Sequence, residues 1–253
     1  MAYKTDGSSH SDGISNEQNL IEKLQEQARE LYPNLSDDFQ VIKRGGTKFK
    51  QDMEIVDGEE TILISAKKKT EITQGSFDWV NSSAAAKSTP SIKTFVDKVK
   101  QIGTTCNIKG TAKLGVLTAA HEALSNLTSD EVSKILRDHV ASKNEGMKII
   151  ISETTTGSNW EYSFEDSPLY DSIQNHTPKV ILGNGIDSAK VIFETADGGT
   201  VDHGVRIRIV TNNGIGALIG QSKANKHSQG VVKIQQDNIP ALISGLGNKI
   251  RKF

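Results

Sequence analysis

An aspartate and a lysine lie at a spacing that suits metal-assisted chemistry in the segment GGTKFKQDMEIVDGEETILISAKKKTE, residues 45–71. Asp52 stands thirteen residues before the tripeptide Ser65-Ala66-Lys67, and a Gly-Gly-Thr tripeptide opens the segment. Phosphodiester hydrolysis needs a carboxylate to hold a divalent cation, and a nearby lysine can orient the attacking water or stabilise the developing charge. Glycines allow a phosphate to approach the backbone closely. The segment therefore predicts a site for a metal ion and a phosphate.

The predicted site depends on the hairpin that joins the two strands of this segment. Asp57-Gly58 favours a tight two-residue turn, which pairs Val56 with Glu59 and places Asp52 opposite Leu63. Side chains alternate along a strand, so Asp52 shares one face with three residues of the second strand, Leu63, Ser65 and Lys67. The other face is predicted to be the core side, with five apolar side chains: Met53, Ile55, Ile62, Ile64 and Ala66. A lysine-rich strand end is also common at a solvated sheet edge, and this interpretation is the alternative.

The segment resembles the core of the PD-(D/E)XK nucleases, in particular the small Type II restriction endonucleases that cut four-base sites. The resemblance implies that Asp52 is a metal ligand, that Lys67 is the catalytic lysine and that the cation is Mg²⁺, with Mn²⁺ as a substitute. Most members carry Asp or Glu at the position of Ser65, which belongs to the same catalytic set. The serine leaves one carboxylate fewer, so the backbone carbonyl of Ala66 or another acid must complete the coordination.

Glu17 is the acid predicted to fill that gap. It stands in an Asn-Glu pair at the start of the first predicted helix, on the side that carries Ile21 and Leu24. Related nucleases present a similar Asn-Glu pair with the glutamate reaching towards the active site, so the resemblance makes Glu17 a catalytic and metal-binding candidate. Acids also suit the first turn of a helix because of its dipole, which is the ordinary explanation. Glu54, on the same face as Asp52, is a second candidate acid.

The C-terminal part of the chain carries the residues predicted to read DNA. Arg206 and Arg208 have strand alternation and project from one face, and a loop rich in amide and cationic side chains follows them. Arg and Lys suit guanine and phosphates, whereas Asn and Gln suit adenine. The resemblance extends to this loop, although Gly, Asn and Ser also favour ordinary turns. The other predicted DNA contacts are Lys68, Lys69, Asn212, Asn213, Gln221, Ser222, Lys223, Asn225, Lys226 and His227.

The order of predicted elements indicates a mixed α/β (α+β) fold, with a restriction-endonuclease-like central mixed sheet flanked by helices and a β-rich C-terminal portion. Residues 1–14 are predicted to be a flexible leader, and residues 15–253 a single domain. Its predicted parts are a catalytic core at 15–110, a helical part at 111–145 and a β-rich DNA-recognition part at 146–253.

Several boundaries are predicted from local signals. Ser15 is expected to cap the first helix and Ser129 to cap a helix over residues 130–142. Further helices are predicted from Pro90, over residues 114–127 and over residues 239–250, whereas the stretch SFDWVNSSAAAKSTP, residues 76–90, is predicted to be a loop or crossover.

Composition restricts the partners. The formal net charge is −1 and the only cysteine is Cys106, so we expect no intrachain disulfide, a cytoplasmic location and a DNA-binding surface made from segregated charge. No apolar run is long enough to span a membrane. The resemblance predicts a Mg²⁺-dependent, sequence-specific endonuclease acting on double-stranded DNA, with a homodimer and a cognate methyltransferase as partners to be tested. The alternatives are a phage recombination, repair or junction-resolving nuclease, and a non-catalytic DNA-binding or virion-associated protein with a decayed nuclease core.

Overall fold

The computed structural model describes residues 8–45, 50–69, 75–102, 110–153, 156–183, 185–211 and 231–253. Within these ranges the α-helices are α1 (Ser8–Leu31), α2 (Ala84–Ser88), α3 (Pro90–Ile102), α4 (Gly110–Ser125), α5 (Ser129–Leu136), α6 (Ser142–Asn144), α7 (Pro168–Asn175) and α8 (Ile239–Leu246), and a π-helical turn, Arg137–Ala141, joins α5 to α6. The strands are β1 (Gln40–Lys43), β2 (Met53–Asp57), β3 (Glu60–Lys69), β4 (Ser76–Ser82), β5 (Met147–Glu153), β6 (Asn159–Ser163), β7 (Thr177–Leu182), β8 (Ser188–Glu194), β9 (Thr200–Ile209), β10 (Val232–Asp237) and β11 (Arg251–Lys252). Two sheets flanked by helices confirm the mixed α/β class.

The chain divides into two compact units, each assembled from segments distant in sequence. The first comprises Met1–Phe77, Asn144–Ser167 and Ile239–Phe253, and the second comprises Asp78–Lys143 and Pro168–Asn238. Strands β5, β6 and β11 join the sheet of β1–β3 although they lie far from it in sequence. The predicted single domain with three parts stays a prediction.

The sheet of the first unit is mixed, with the strand order β1-β2-β3-β5-β6-β11. Strands β3 and β5 run parallel, with Ser65 paired to Ile149 and Lys67 paired to Ile151. The other neighbouring pairs are antiparallel. Parallel neighbours cannot be joined by a tight turn, so a long connection between β3 and β5 is required.

Helix α1 packs on one face of this sheet. Its buried residues recur every three or four positions, which is the spacing of one helix face, and they are Leu20, Leu24, Ala28 and Leu31. They form one core cluster with strand residues that include Met53, Ile55 and Ile64. The predicted core side of the hairpin is therefore confirmed.

The start of α1 differs from the prediction. The helix begins at Ser8, so residues 8–14 of the predicted flexible leader are helical and Ser15 does not cap the helix. Extending an existing helix by a turn costs much less free energy than nucleating a new helix. The packed residues from Leu20 onward therefore also support helical structure on their N-terminal side. Residues 1–7 of the predicted leader lie outside the described residues.

The β2–β3 hairpin turns one residue later than predicted. Asp57 pairs with Glu60 and Glu54 pairs with Leu63, so the loop residues are Gly58 and Glu59. Gly58 has a φ of +60°, and a glycine at the first loop position is typical of a type II′ turn. Asp57 stays in the strand, where its carboxylate accepts hydrogen bonds from the amide and hydroxyl of Ser36. The register moves by two residues, which leaves every side chain on its predicted face.

The last helix of the chain is shorter than predicted. Helix α8 ends at Leu246 rather than near residue 250, and a single 3₁₀ turn covers Gly247–Lys249. The next two residues, Arg251 and Lys252, are extended because they pair with β6 as the edge strand β11.

The second unit contains a five-stranded sheet with the order β4-β10-β9-β8-β7. The pairs β7–β8, β8–β9 and β9–β10 are antiparallel. Buried and half-buried residues alternate along β10 and along β9 from Val205 onward, and the buried ones are apolar except for Gln236. This is the pattern of an antiparallel sheet with one packed face and one polar face.

Two further predictions, at the start of β4 and at the N-terminus of α5, are wrong. Part of the stretch predicted as a loop forms β4 and α2, because Phe77 and Trp79 alternate with polar residues and are buried. The N-cap of α5 is Thr128 rather than Ser129, and it forms a capping box with Glu131. The predicted helices from Pro90 and over residues 114–127 correspond to α3 and α4.

No helix in the described part of the chain is both long enough and apolar enough to cross a membrane.

Candidate active site

Asp52 lies where strand β2 separates from β3. Its amide N–H donates to the carbonyl of Ile64 at 2.9 Å. Its carboxylate oxygen Oδ2 accepts one hydrogen bond from the Ala66 amide at 2.7 Å and another from the Ser65 hydroxyl at 3.3 Å. The carboxylate thus takes the place of a strand carbonyl opposite Ala66.

Strand β3 places Ser65 and Lys67 on one face. The pairing of Glu54 with Leu63 puts Glu54 on that same face, opposite to the one covered by α1. Ser65 is fully buried and Lys67 is 8% exposed. Lysine is seldom buried so deeply, and a lysine that only keeps a sheet edge in solvent would be exposed. The solvated-edge alternative therefore does not describe Lys67.

The backbone of Ala66 faces the edge that β2 leaves. Its amide N–H points towards Asp52, and the N–H and C=O of one strand residue point to the same edge. The carbonyl oxygen of Ala66 is therefore directed to the side where the Asp52 carboxylate lies. A carboxylate and a carbonyl at one strand edge are oxygen donors of the type that Mg²⁺ accepts.

Glu54 is a buried acid with both carboxylate oxygens occupied. Oε1 accepts a hydrogen bond from Gln51 Nε2 at 2.6 Å, and Oε2 accepts one from Arg44 Nε at 2.8 Å. Burial by itself raises the pKa of Glu54, but the hydrogen bonds from Gln51 and Arg44 and the charge of Arg44 outweigh it. The net pKa of Glu54 is therefore lowered, and the side chain is held as a carboxylate.

Arg44 and Gln51 are residues that the sequence pattern did not assign to the site. The available signal was the position of Arg44, a basic residue directly before the Gly-Gly pair. Its link to Glu54 depends on the strand register, because the Arg44 amide donates to the Asp52 carbonyl and the Gly45 amide donates to the Gln51 carbonyl. The Gly46 and Thr47 positions of the predicted Gly-Gly-Thr entry lie outside the described residues.

Glu17 lies on the helix side of the first sheet. It sits in the third turn of α1 and pairs with Lys43, with 3.0 Å between Oε2 and Nζ. Lys43 pairs with Met53 in the strand register, so the side chains of Lys43 and Met53 lie on the same face of the sheet, which α1 covers. Ser65 and Lys67 face the other way. The metal-binding role predicted for Glu17 gains no support from this position.

The two lysines after Lys67 lie on different faces of β3. Lys69 forms a close ion pair with Glu153, its partner in the parallel register of β5. Hydrogen bonds from Lys69 and from the Thr156 hydroxyl lower the pKa of Glu153. Lys68 is paired with Ser152 and points to the α1 side. The predicted DNA contacts by these lysines remain predictions.

The donor set fits a hydrated Mg²⁺ ion better than a fully protein-ligated one. In the described ranges no group of three or more His, Cys, Asp or Glu side chains is arranged to hold a metal ion. Asp52 and the Ala66 carbonyl offer two oxygen ligands at one place, and Mg²⁺ commonly uses one or two carboxylates together with waters and substrate phosphates. The residues present are therefore compatible with a Mg²⁺ ion completed by substrate.

Arg206 and Arg208 of β9 project from the polar face of the second sheet, as their alternation predicts. Arg206 forms a close ion pair with Asp237, and Arg208 lies 3.6 Å from Asp187. Both arginine side chains are about two-fifths exposed, with values of 43% and 40%. Half-exposed ion pairs contribute little to stability, so a phosphate can compete for such guanidinium groups.

The other predicted DNA-reading residues fall in the segment between β9 and β10. Residues 212–230 lie outside the described residues. The predicted contacts in that segment are Asn212, Asn213, Gln221, Ser222, Lys223, Asn225, Lys226 and His227. They remain predictions from sequence.

Comparison with known proteins identified no relative: no family model, no curated protein and no solved structure matches this chain.

Proposed function

We propose that this chain is a divalent-cation-dependent endonuclease that hydrolyses DNA phosphodiester bonds, and that it is most similar to the Type II restriction enzymes of the PD-(D/E)XK kind. The main support is the arrangement at the end of β2. The Asp52 carboxylate bonds to the Ala66 amide and the Ser65 hydroxyl, directly beside the buried Lys67 in sequence. The mixed sheet, in which β3 is parallel to β5, agrees with this class of fold.

Each residue has a distinct role in the proposed reaction. Asp52 and the carbonyl of Ala66 would hold the cation, and Ser65 would orient the Asp52 carboxylate through its hydroxyl. Bound Mg²⁺ supplies Lewis-acid chemistry, because it polarises the phosphate and lowers the pKa of bound water. The Lys67 ammonium would stabilise the negative charge that develops on the phosphoryl oxygens as water attacks and the alcohol departs.

The first test is digestion of unmethylated phage DNA by wild type and by Lys67→Ala, with Mg²⁺ and with a chelator. We expect discrete fragments that require Mg²⁺ and a loss of about 100-fold or more in rate for Lys67→Ala, since a charge-stabilising group is removed. Lys100→Ala is the matched control, because Lys100 is an exposed lysine at the end of α3. Asp52→Asn should also abolish cleavage. Unchanged cleavage by Lys67→Ala would contradict the proposed active site.

The same assay separates the two alternatives. A smear rather than discrete fragments would favour a recombination, repair or junction-resolving nuclease. The non-catalytic alternative has one structural feature in its favour, which is that Arg44 neutralises Glu54 while a serine occupies position 65. Salt-sensitive DNA binding without cleavage, with Mg²⁺ or Mn²⁺, would identify that alternative.

A further inference from the structure

Glu54 is a second acid close in sequence to Asp52, and the Arg44 side chain is its counterion. It lies two residues after Asp52, on the face of the sheet that carries Ser65. The Glu54 side chain is only 10% exposed, and the side chain of Arg44, which neutralises it, is 35% exposed. A buried carboxylate therefore has a counterion that solvent can reach.

The backbone fixes this pair beside Asp52. The Arg44 amide donates to the Asp52 carbonyl at 2.9 Å, and the Gly45 amide donates to the Gln51 carbonyl at 3.0 Å. Arg44 and Gln51, which together hold Glu54, are thus the direct backbone neighbours of Asp52. These two backbone hydrogen bonds place the basic side chain of Arg44 at the end of β2.

We propose that Glu54 is the second acid of the cation site and that Arg44 is its exchangeable counterion. The proposal rests on the proposed function. A divalent cation held by Asp52 would draw Glu54 into its coordination, and the released Arg44 guanidinium would bind a phosphate of the nucleic acid. Arginine suits this exchange because its planar fork matches carboxylates and phosphates equally well.

Charge balance favours the exchange over a static pair. Without the cation, the charge of Glu54 is matched by that of Arg44. A divalent cation would match the charges of Asp52 and Glu54 by itself, and the Arg44 guanidinium could then exchange Glu54 for a phosphate. Buried charges that lose a partner must gain another, so cation and phosphate binding should be coupled.

The first arm of the test is Mn²⁺ binding to the full chain without DNA, measured by titration calorimetry. Glu54→Gln should weaken Mn²⁺ binding by about tenfold or more, because a charged ligand is lost. Arg44→Gln should tighten it by about threefold, because the competing cation is removed while a hydrogen-bond donor is kept. Glu60→Gln, an exposed acid of the same hairpin, is the control and should leave the affinity unchanged.

The second arm is DNA affinity measured by fluorescence anisotropy with Ca²⁺ and with a chelator. Arg44→Gln should weaken DNA binding several-fold with Ca²⁺ and much less with the chelator, because the arginine is released only when a cation is bound. An equal effect under both conditions would overturn the exchange. Thermal melts of each variant identify any loss that comes from unfolding, and Arg44→Lys provides a charged replacement if Arg44→Gln does not fold.

The results also separate this inference from the proposed function. If wild type binds Mn²⁺ and cleaves DNA but Glu54→Gln binds Mn²⁺ equally well, only the inference fails. If wild type neither binds Mn²⁺ nor cleaves DNA, both fail. Opposite effects of Glu54→Gln and Arg44→Gln on Mn²⁺ affinity would support the inference, because a purely structural ion pair gives no reason for opposite signs.

Discussion

Asp52 has a structural role as well as its proposed chemical one. Its Oδ2 atom accepts the Ala66 amide, which would otherwise lack a partner once β2 ends. Asp52→Asn keeps one acceptor oxygen and removes the charge, whereas Asp52→Ala also removes the acceptor. The asparagine variant is therefore the better test of chemistry in the cleavage assay.

Glu161 is another buried acid of the first unit, and its hydrogen-bond partners come from distant parts of the chain. It is 1% exposed, and it accepts hydrogen bonds from Arg251 Nε at 2.8 Å and from the Tyr32 hydroxyl at 3.1 Å. Arg251 also bonds to the carbonyl of Leu31 at the end of α1. One arginine therefore ties the C-terminal strand to both the sheet and the helix.

Removing Arg251 should destabilise the fold without touching the proposed site. We expect Arg251→Met to lower the free energy of unfolding by about 2–4 kcal/mol, because it leaves a buried carboxylate with one neutral donor. Urea denaturation at neutral pH measures this change, and Lys252→Met at the exposed neighbouring position is the control. Equal stability of the two variants would show that Glu161 does not depend on the ion pair.

At the level of elements, α5 shows how one cap links two helices. Thr128 Oγ1 accepts the Glu131 amide at 3.2 Å, and Glu131 Oε2 accepts the Thr128 amide at 3.0 Å. The other oxygen of Glu131 accepts the Ser91 amide in the first turn of α3 at 2.9 Å. Burial by itself raises the pKa of Glu131, but the hydrogen bonds from Ser91 and Thr128 lower it overall.

This cap predicts a pH-dependent contribution to stability. Because the folded pKa of Glu131 lies below its ordinary value of 4.5, its contribution is complete above that value and is lost as pH falls through the folded pKa. We expect Glu131→Gln to lower the free energy of unfolding by about 1–2 kcal/mol at about pH 7, with a smaller difference from wild type at about pH 3. Asp130→Asn, an exposed acid in the same turn, should show little of this pH dependence. A difference from wild type that stays constant with pH would refute the role of the charge.

Across the whole molecule, any affinity for DNA must come from local charge. The net charge is only −1, yet the sequence from His203 to Gln236 contains no Asp or Glu and five Lys or Arg. On the described part of this stretch, Arg206 and Arg208 lie on the polar face of the second sheet, paired with acids from outside the stretch. Binding therefore requires phosphates to compete with those acids.

Salt dependence tests this arrangement. The double variant Arg206→Ala, Arg208→Ala should weaken DNA binding and reduce the slope of log K against log salt by about 1 for each phosphate that is no longer neutralised. Anisotropy titrations with a chelator present measure the slope without cleavage. Lys134→Ala, an exposed lysine of α5, should leave it unchanged. An unaltered slope in the double variant would exclude both arginines from the DNA-binding surface.

Local sequence patterns were enough to predict which residues share a face. The stripe of Leu20, Leu24 and Ala28 defined the buried side of α1, and alternation put Ser65 and Lys67 together on β3. These patterns are local, since helical and strand periods follow from backbone geometry alone. They survived an error in the turn because a shift of two residues preserves the alternation.

The partners that those faces meet depend on the tertiary structure. Three features require contacts between residues distant in sequence. They are the register that places Arg44 beside Glu54, the ion pair of Glu17 with Lys43, and the assembly of each unit from separate segments. A local pattern cannot choose among such contacts, because an acid on a strand is satisfied equally well by any basic side chain that the fold brings near. Long-range packing made that choice, since it pairs Glu17 with Lys43 and Glu54 with Arg44.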